Sequence, residues 1–133
     1  MRHLTRYSFL LLFFLISLGC VASSRLPDWT KLGQRTVNHA IDRDEIRVGV
    51  RDGTFRRIKL LVRRRAVTFR DVKIHYANGE VQDVQMRRSV PAGGETRAID
   101  LTGQDRIITK VVFRYNTQRI RGKRALVELY GQR

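Results

Sequence analysis

The sequence predicts an all-β protein, a single antiparallel β-sandwich of jelly-roll-like or immunoglobulin-like type with about eight strands, behind an N-terminal signal peptide. Three observations predict it. Apolar and polar residues alternate with a period of two through nearly every segment after the leader, turn residues interrupt them at short intervals, and no later segment repeats with the period of a helix. Alternation of this kind gives each strand one face for a core and one for water.

The elements follow in order. The segment near Trp29 to His39 supplies the first strand, and Ile46, Val48 and Val50 alternate with Arg47 and Gly49. Ile58, Leu60 and Val62 form the next apolar face, followed by Val67 with Phe69 and by Val72, Ile74 and Tyr76. Val84 and Met86, Ile99 and Leu101, then Val111, Phe113 and Tyr115, and finally Ala125, Val127 and Leu129 continue the pattern. Turns are expected at Asp52-Gly53, Asn78-Gly79, the Pro91-to-Glu95 stretch, Gly103-Gln104 and Gly122. No repeat or linker divides the body, so one domain is expected over residues 24–133.

Register gives finer expectations, because residues paired across a hairpin face the same side of the sheet. A two-residue Asn78-Gly79 turn sets Val84 against Lys73. A three-residue loop, Asn78 to Glu80, sets Val84 against Ile74 and Met86 against Val72, so an odd-length loop is expected. A tight Asp52-Gly53 turn pairs Val50 with Phe55. Since Ile58 is out of phase with Phe55, a bulge near Arg56-Arg57 is expected to reconcile them.

Residues 1–23 have the order of a signal peptide: Arg2 and Arg6, an apolar run from Phe9 to Leu18, then small residues around Gly19 to Ser24. Even counted from Ser8 to Ala22 the run is shorter than the roughly 20 residues a membrane-spanning helix needs. Cleavage after Ala22 or Ser23 is therefore expected, with a mature protein that is periplasmic or extracellular. The alternative is lipid attachment at Cys20, because Leu18-Gly19-Cys20 partly matches an acylation box, although Ser17 stands where that pattern has Leu. Cys20 is the one cysteine, so no intrachain disulfide forms.

The chain carries 27 basic and 12 acidic residues. Loss of the leader removes Arg2 and Arg6, leaving 25 basic against 12 acidic residues, a formal +13. A field of that sign favours anionic partners. In an exported protein these are an anionic envelope polymer or an acidic protein, and nucleic acid is not expected as the physiological partner. The other reading of the same charge is a solvated, solubilising surface.

Several features resemble one family: Trp29, Leu32-Gly33, Asp42-Arg43-Asp44 before Ile46, Gly53-Thr54-Phe55, Asn78-Gly79 and Ala92-Gly93-Gly94. To these are added Arg97, Ile99-Asp100-Leu101 with Gly103, Arg106-Ile107, Tyr115 and Leu129-Tyr130-Gly131. The chain resembles short exported proteobacterial proteins catalogued as a domain of unknown function, over Asp28 to Gly131. The resemblance implies an exported β-sandwich and brings no catalytic residue with it. Some members carry a cysteine pair that this chain lacks.

Catalytic chemistry finds little support. The body has no cysteine, few serines, and only His39 and His75, and Ser89 is not set in a serine-hydrolase motif. Asp42-Arg43-Asp44-Glu45 places three carboxylates in an expected loop, where calcium could bind, but local turn hydrogen bonds account for such residues better, because Arg43 sits inside the cluster and no glycine-spaced repeat is present. Asp100 and Asp105 are expected either as ligands or as partners of Arg97 or Arg106. Gly93-Gly94 after Pro91 lacks the Lys and Ser or Thr of a phosphate-binding loop, and no cofactor or metal is expected. Trp29 is expected to close one end of the core, the alternative being a stacking surface for a sugar or base.

The candidate ligand-binding residues are the arginines and lysines. Arg56, Arg57, Lys59, Arg63, Arg64 and Arg65 are expected on one hairpin, and Arg119, Arg121, Lys123 and Arg124 near the last turn. Guanidinium groups grip phosphate, sulfate or carboxylate oxygens in two-pronged fashion. The expected function is thus a non-enzymatic binding or accessory module of the cell envelope. The alternative is a structural or assembly protein that self-associates through a sheet edge, its charge serving solubility alone.

Overall fold

The computed structural model describes residues 28–37, 42–116 and 124–133. The leader with Cys20, and His39, Arg119, Arg121, Gly122 and Lys123, lie outside the described residues. The expected two-sheet architecture forms. One sheet has the order β1-β9-β4-β7, from β1 (Trp29–Thr36), β9 (Leu126–Gln132), β4 (Arg57–Arg63) and β7 (Ile99–Asp100). The other is β2-β8-β5-β6, from β2 (Arg43–Arg47), β8 (Arg106–Asn116), β5 (Val67–Tyr76) and β6 (Val81–Val90), with β3 (Thr54–Phe55) also on β8. All pairings are antiparallel. The described strands number nine rather than about eight, because Thr54–Phe55 makes a short one of its own.

Alternation fills the space between the sheets. Ile58, Leu60 and Val62 of β4 and Val127 and Leu129 of β9 are fully buried from one side, Val72, Ile74, Val111 and Phe113 from the other. Phe113 stands edge-on to Phe69 at 5.9 Å between ring centroids and lies 5.6 Å from Tyr115.

Phe69 and Val72 are both buried although three residues apart, so β5 changes phase between them. The ladder absorbs the change in a fan. From Asp71 to Phe69 is two residues on β5, while the partners advance one residue on β8, Arg114 to Tyr115, and three on β6, Gln85 to Arg88. Such bulges bend and twist a sheet.

The β5–β6 loop has odd length, as expected, and the residues are Ala77 to Gly79. The pairing is therefore shifted two residues from the expected one: Val84 faces Val72, and Ile74 faces Gln82. A shift of two keeps every side chain on its face, which is why alternation alone does not distinguish the two registers. The Asn78 side chain fixes the choice by accepting from the Glu80 amide at 3.0 Å, while Tyr76 N–H donates to Glu80 O at 2.9 Å.

No Val50–Phe55 pair forms. β2 and β3 lie one after the other along β8, joined by a 3₁₀ turn at Val50–Asp52 that leaves Val50 61% exposed. The Asp52 carboxylate accepts from the Gly49 amide at 2.9 Å, and Gly53 takes φ +83°. The phase change between Phe55 and Ile58 is a change of sheet rather than a hairpin bulge: the chain leaves β8, Arg56 N–H donates to Gln132 O at 2.7 Å, and β4 continues beside β9.

Candidate anion-binding site

Strand directions bring six of the described arginines to one end of the sandwich. Leu126 pairs with Arg63, so the turn after β4 and the approach to β9 leave the first sheet side by side. Val67 pairs with Val90, and Thr68 with both Ser89 and Asn116, so the start of β5 and the ends of β6 and β8 emerge at this same end. Arg43 opposite Arg114 starts β2 there. Arg63, Arg64, Arg65, Arg87, Arg88 and Arg124 therefore collect at one pole.

Arg63 to Arg65 do not turn within a hairpin. β4 and β5 belong to different sheets, and the three arginines form the corner between them. Arg65 N–H donates to Arg63 O at 2.9 Å, closing a γ-turn in which Arg64 takes φ +72°. Arg87, at the wide side of the fan in the second sheet, takes φ +41°. Non-glycine residues seldom adopt positive φ. Of the three described ones that do, two are arginines of this pole, and both are exposed.

The other expected binding residues are elsewhere and occupied. Arg56 and Arg57 stand at the opposite end, with Arg57 six strand steps or roughly 20 Å from Arg63. They donate to Asp105 at 2.9 Å and to Asp100 at 2.7 Å. Asp100 and Asp105 thus pair with these residues rather than with Arg97 or Arg106; Arg106 binds Glu80 at 2.9 Å and lies over the Tyr76 ring at 3.8 Å. Lys59 is held at mid-strand by Glu95 at 3.0 Å and by the Trp29 ring at 4.4 Å. Trp29 does not close the core. It is half-buried on the outer face of the first sheet, where β1 register puts it beside Gln132.

Five exposed or half-exposed acidic groups collect opposite the arginines, while Asp42 is exposed at the arginine pole, its carbonyl accepting from Tyr115 N–H at 2.9 Å. Asp52, Glu80, Asp83, Asp100 and Asp105 all lie in or beside the loops at the far end. At the arginine pole, Asp44 and Asp71 are buried. Asp44 accepts from Tyr115 Oη at 2.7 Å and Arg35 Nε at 3.0 Å, and Asp71 accepts from Arg114 Nε at 2.7 Å. Asp42-Arg43-Asp44-Glu45 is therefore not a ligand loop: Arg43 to Glu45 are strand, and alternation sends Asp44 inward while Glu45 faces Lys110 and Arg47 outside. Ser89 and His75 are seven residues apart along the β5–β6 ladder, roughly 23 Å, and form no pair.

Arg63 is shared between the pole and the sheet. Its Nε donates to Glu128 at 3.1 Å, and Lys31 donates to the same carboxylate at 3.2 Å. Burial by itself pushes the Glu128 carboxyl up, but hydrogen bonds from Arg63, Lys31 and Tyr130 outweigh it and hold the group below the usual carboxylate range. A depressed folded value contributes stability that is present above the unfolded value and lost as pH falls through the folded one. Glu128→Gln is expected to cost about 1–3 kcal/mol near neutral pH. Urea titrations should find that difference shrinking as the pH is lowered below the ordinary carboxylate range.

Sequence reading missed Arg87 and Arg88 as members of the pole. Their adjacency at the end of an alternating strand was visible, but their meeting with Arg63 to Arg65 depends on which strands run together. Among the described residues no helix is long and apolar enough to cross a membrane. No curated protein and no solved structure matches the chain. The family described as Domain of unknown function (DUF2541) matches residues 9–131, nearly the full length on which this pole and its supporting strands are built, and the chain belongs to that family.

Proposed function

We propose that the protein is a non-enzymatic binding or accessory module of the cell envelope, exported by its leader and engaging an anionic polymer through its arginine pole. The observation that carries this reading is the segregation of charge. Arg64, Arg87, Arg88 and Arg124 are exposed at an end where Asp44 and Asp71 are buried against Arg35 and Arg114 and Asp42 is the exposed carboxylate among the described residues, whereas Arg56 and Arg57 are neutralised by Asp105 and Asp100. Several guanidinium groups on different elements suit a repeating anion better than a single small one, because each can grip a separate phosphate, sulfate or carboxylate.

The reading is tested by retention of the full-length processed protein on immobilised anionic glycan and on a neutral glycan across a salt series. Retention on the anionic matrix alone, falling steadily as salt screens the contacts, is the expected result. Retention indifferent to salt, or none in low salt, rejects it. Mass measurement of the N-terminus of the cell-derived protein tests the export step: a start after Ala22 or Ser23 supports it, a lipidated Cys20 gives the anchored variant, and an intact Met1 opposes it.

A further inference from the structure

Each sheet edge exposes unpaired backbone groups unless something blunts it. β1 is interrupted by a bulge between Lys31 and Gly33. β2 is five residues long, four of them charged. β7 has two residues, and the chain before it is bonded to β4 through Val62 N–H to Gly94 O at 2.9 Å and Thr96 N–H to Leu60 O at 2.8 Å. β6 differs: it has ten residues, and Val81 to Gln85 runs in unbroken register with Asp71 to His75 and contains no Lys, Arg or Pro. Val81 is 48% exposed.

The Tyr76 N–H to Glu80 O bond shows which groups face inward along this edge. Since bonding direction alternates along an antiparallel strand, Glu80, Gln82 and Val84 bond to β5, while Val81, Asp83 and Gln85 point N–H and C=O away from the sheet. The edge is also divided by charge. Glu80, which Arg106 also holds, stands just before the strand, Asp83, held by Lys73, lies in its first half, and Arg87 and Arg88 lie toward its end, with Val84 and Met86 between.

We propose that β6 pairs antiparallel with β6 of a second copy of this chain, with Val84 at the two-fold axis. In this register Val84 faces Val84, Asp83 faces Gln85, and Glu80 faces Arg88 of the second copy. Gln82, Val84 and Arg88 share the inner face, since their partners on β5 are Ile74, Val72 and Phe69, all buried, so Glu80 and Arg88 meet on one side. Centring the pair on Asp83 sets two carboxylates face to face, which opposes association. The Arg87 backbone, at φ +41°, ends the backbone ladder at Gln82 opposite Met86, and Glu80 and Arg88 meet just beyond it through their side chains.

Sedimentation equilibrium over a concentration series, with circular dichroism to check folding, tests the proposal. The wild-type chain is expected to form a reversible dimer. Asp83→Pro removes an outward N–H at an edge position that tolerates proline, so it leaves the β5 bonds in place, and it is expected to weaken the dimer at least about tenfold, as is Val81→Lys. The register has its own test: Glu80→Lys and Arg88→Glu each weaken self-association, and an equimolar mixture of the two restores it as a heterodimer, because each new charge then faces its opposite. A wild-type chain that stays monomeric, a dimer indifferent to Asp83→Pro, or a mixture no stronger than its components overturns the proposal; so does occupation of this edge by a different protein. Retention on anionic glycan is expected to persist in Asp83→Pro, because Arg64 and Arg124 of the pole lie outside the β6 pair, which separates failure here from failure of the binding reading.

Discussion

Phe113→Ala is expected to lower the stability of the domain by about 3–5 kcal/mol. Phe113 is fully buried in the middle of β8, between the Phe69 and Tyr115 rings, and its lateral neighbours are Val72 and Asp44. Truncation removes the apolar area and leaves a cavity that strands of both neighbours hold open, because their backbones are fixed by the ladders. Against a typical total of about 5–15 kcal/mol the loss is severe. Urea denaturation measures it, and Phe113→Leu, which keeps most of the volume, is expected to cost well under half as much.

Gly131→Val is the second large effect, and its mechanism is the reverse. A Cβ at residue 131 meets Phe55 Cδ1 at 2.7 Å and Leu32 Cδ1 at 2.8 Å. Phe55 is fully buried at the point where the chain changes sheets, so its ring has no open direction in which to move. Alanine alone is expected to cost about 1–3 kcal/mol, and valine more. Phe55→Leu should recover part of the loss in a double-mutant cycle, because the clash is pairwise. Independent costs that simply add would show that the ring is not what excludes the side chain.

The layered architecture was legible because alternation reports burial directly. Ile58, Leu60 and Val62, or Val111, Phe113 and Tyr115, face the core as their spacing requires. Register was legible only to parity: Val84 lands on Val72 instead of Ile74, and the local bond from Glu80 N–H to Asn78 makes the difference. Phe55 and Ile58 carried a true signal, a broken phase, whose cause was not local, since a bulge and a change of sheet leave the same mark in a sequence. Of the binding candidates, Arg63 to Arg65 and Arg124 do meet, whereas Arg56 and Arg57 are drawn to the far end by the length of β4 and neutralised there. Nothing in a run of six nearby cations states which of them will find a carboxylate, because Asp100 and Asp105 reach them only through tertiary pairing.

The proposed binding is therefore about position rather than total charge: the fold, and not the composition, collects exposed arginines at one end of the sandwich. Two variants that each remove two positive charges decide it. Arg64→Gln with Arg124→Gln alters the pole, and Arg56→Gln with Arg57→Gln alters the neutralised end, so affinities for one anionic glycan at one salt concentration compare positions alone. The account predicts a loss of about tenfold or more for the first and a change within about twofold for the second. Equal losses for the two variants contradict it.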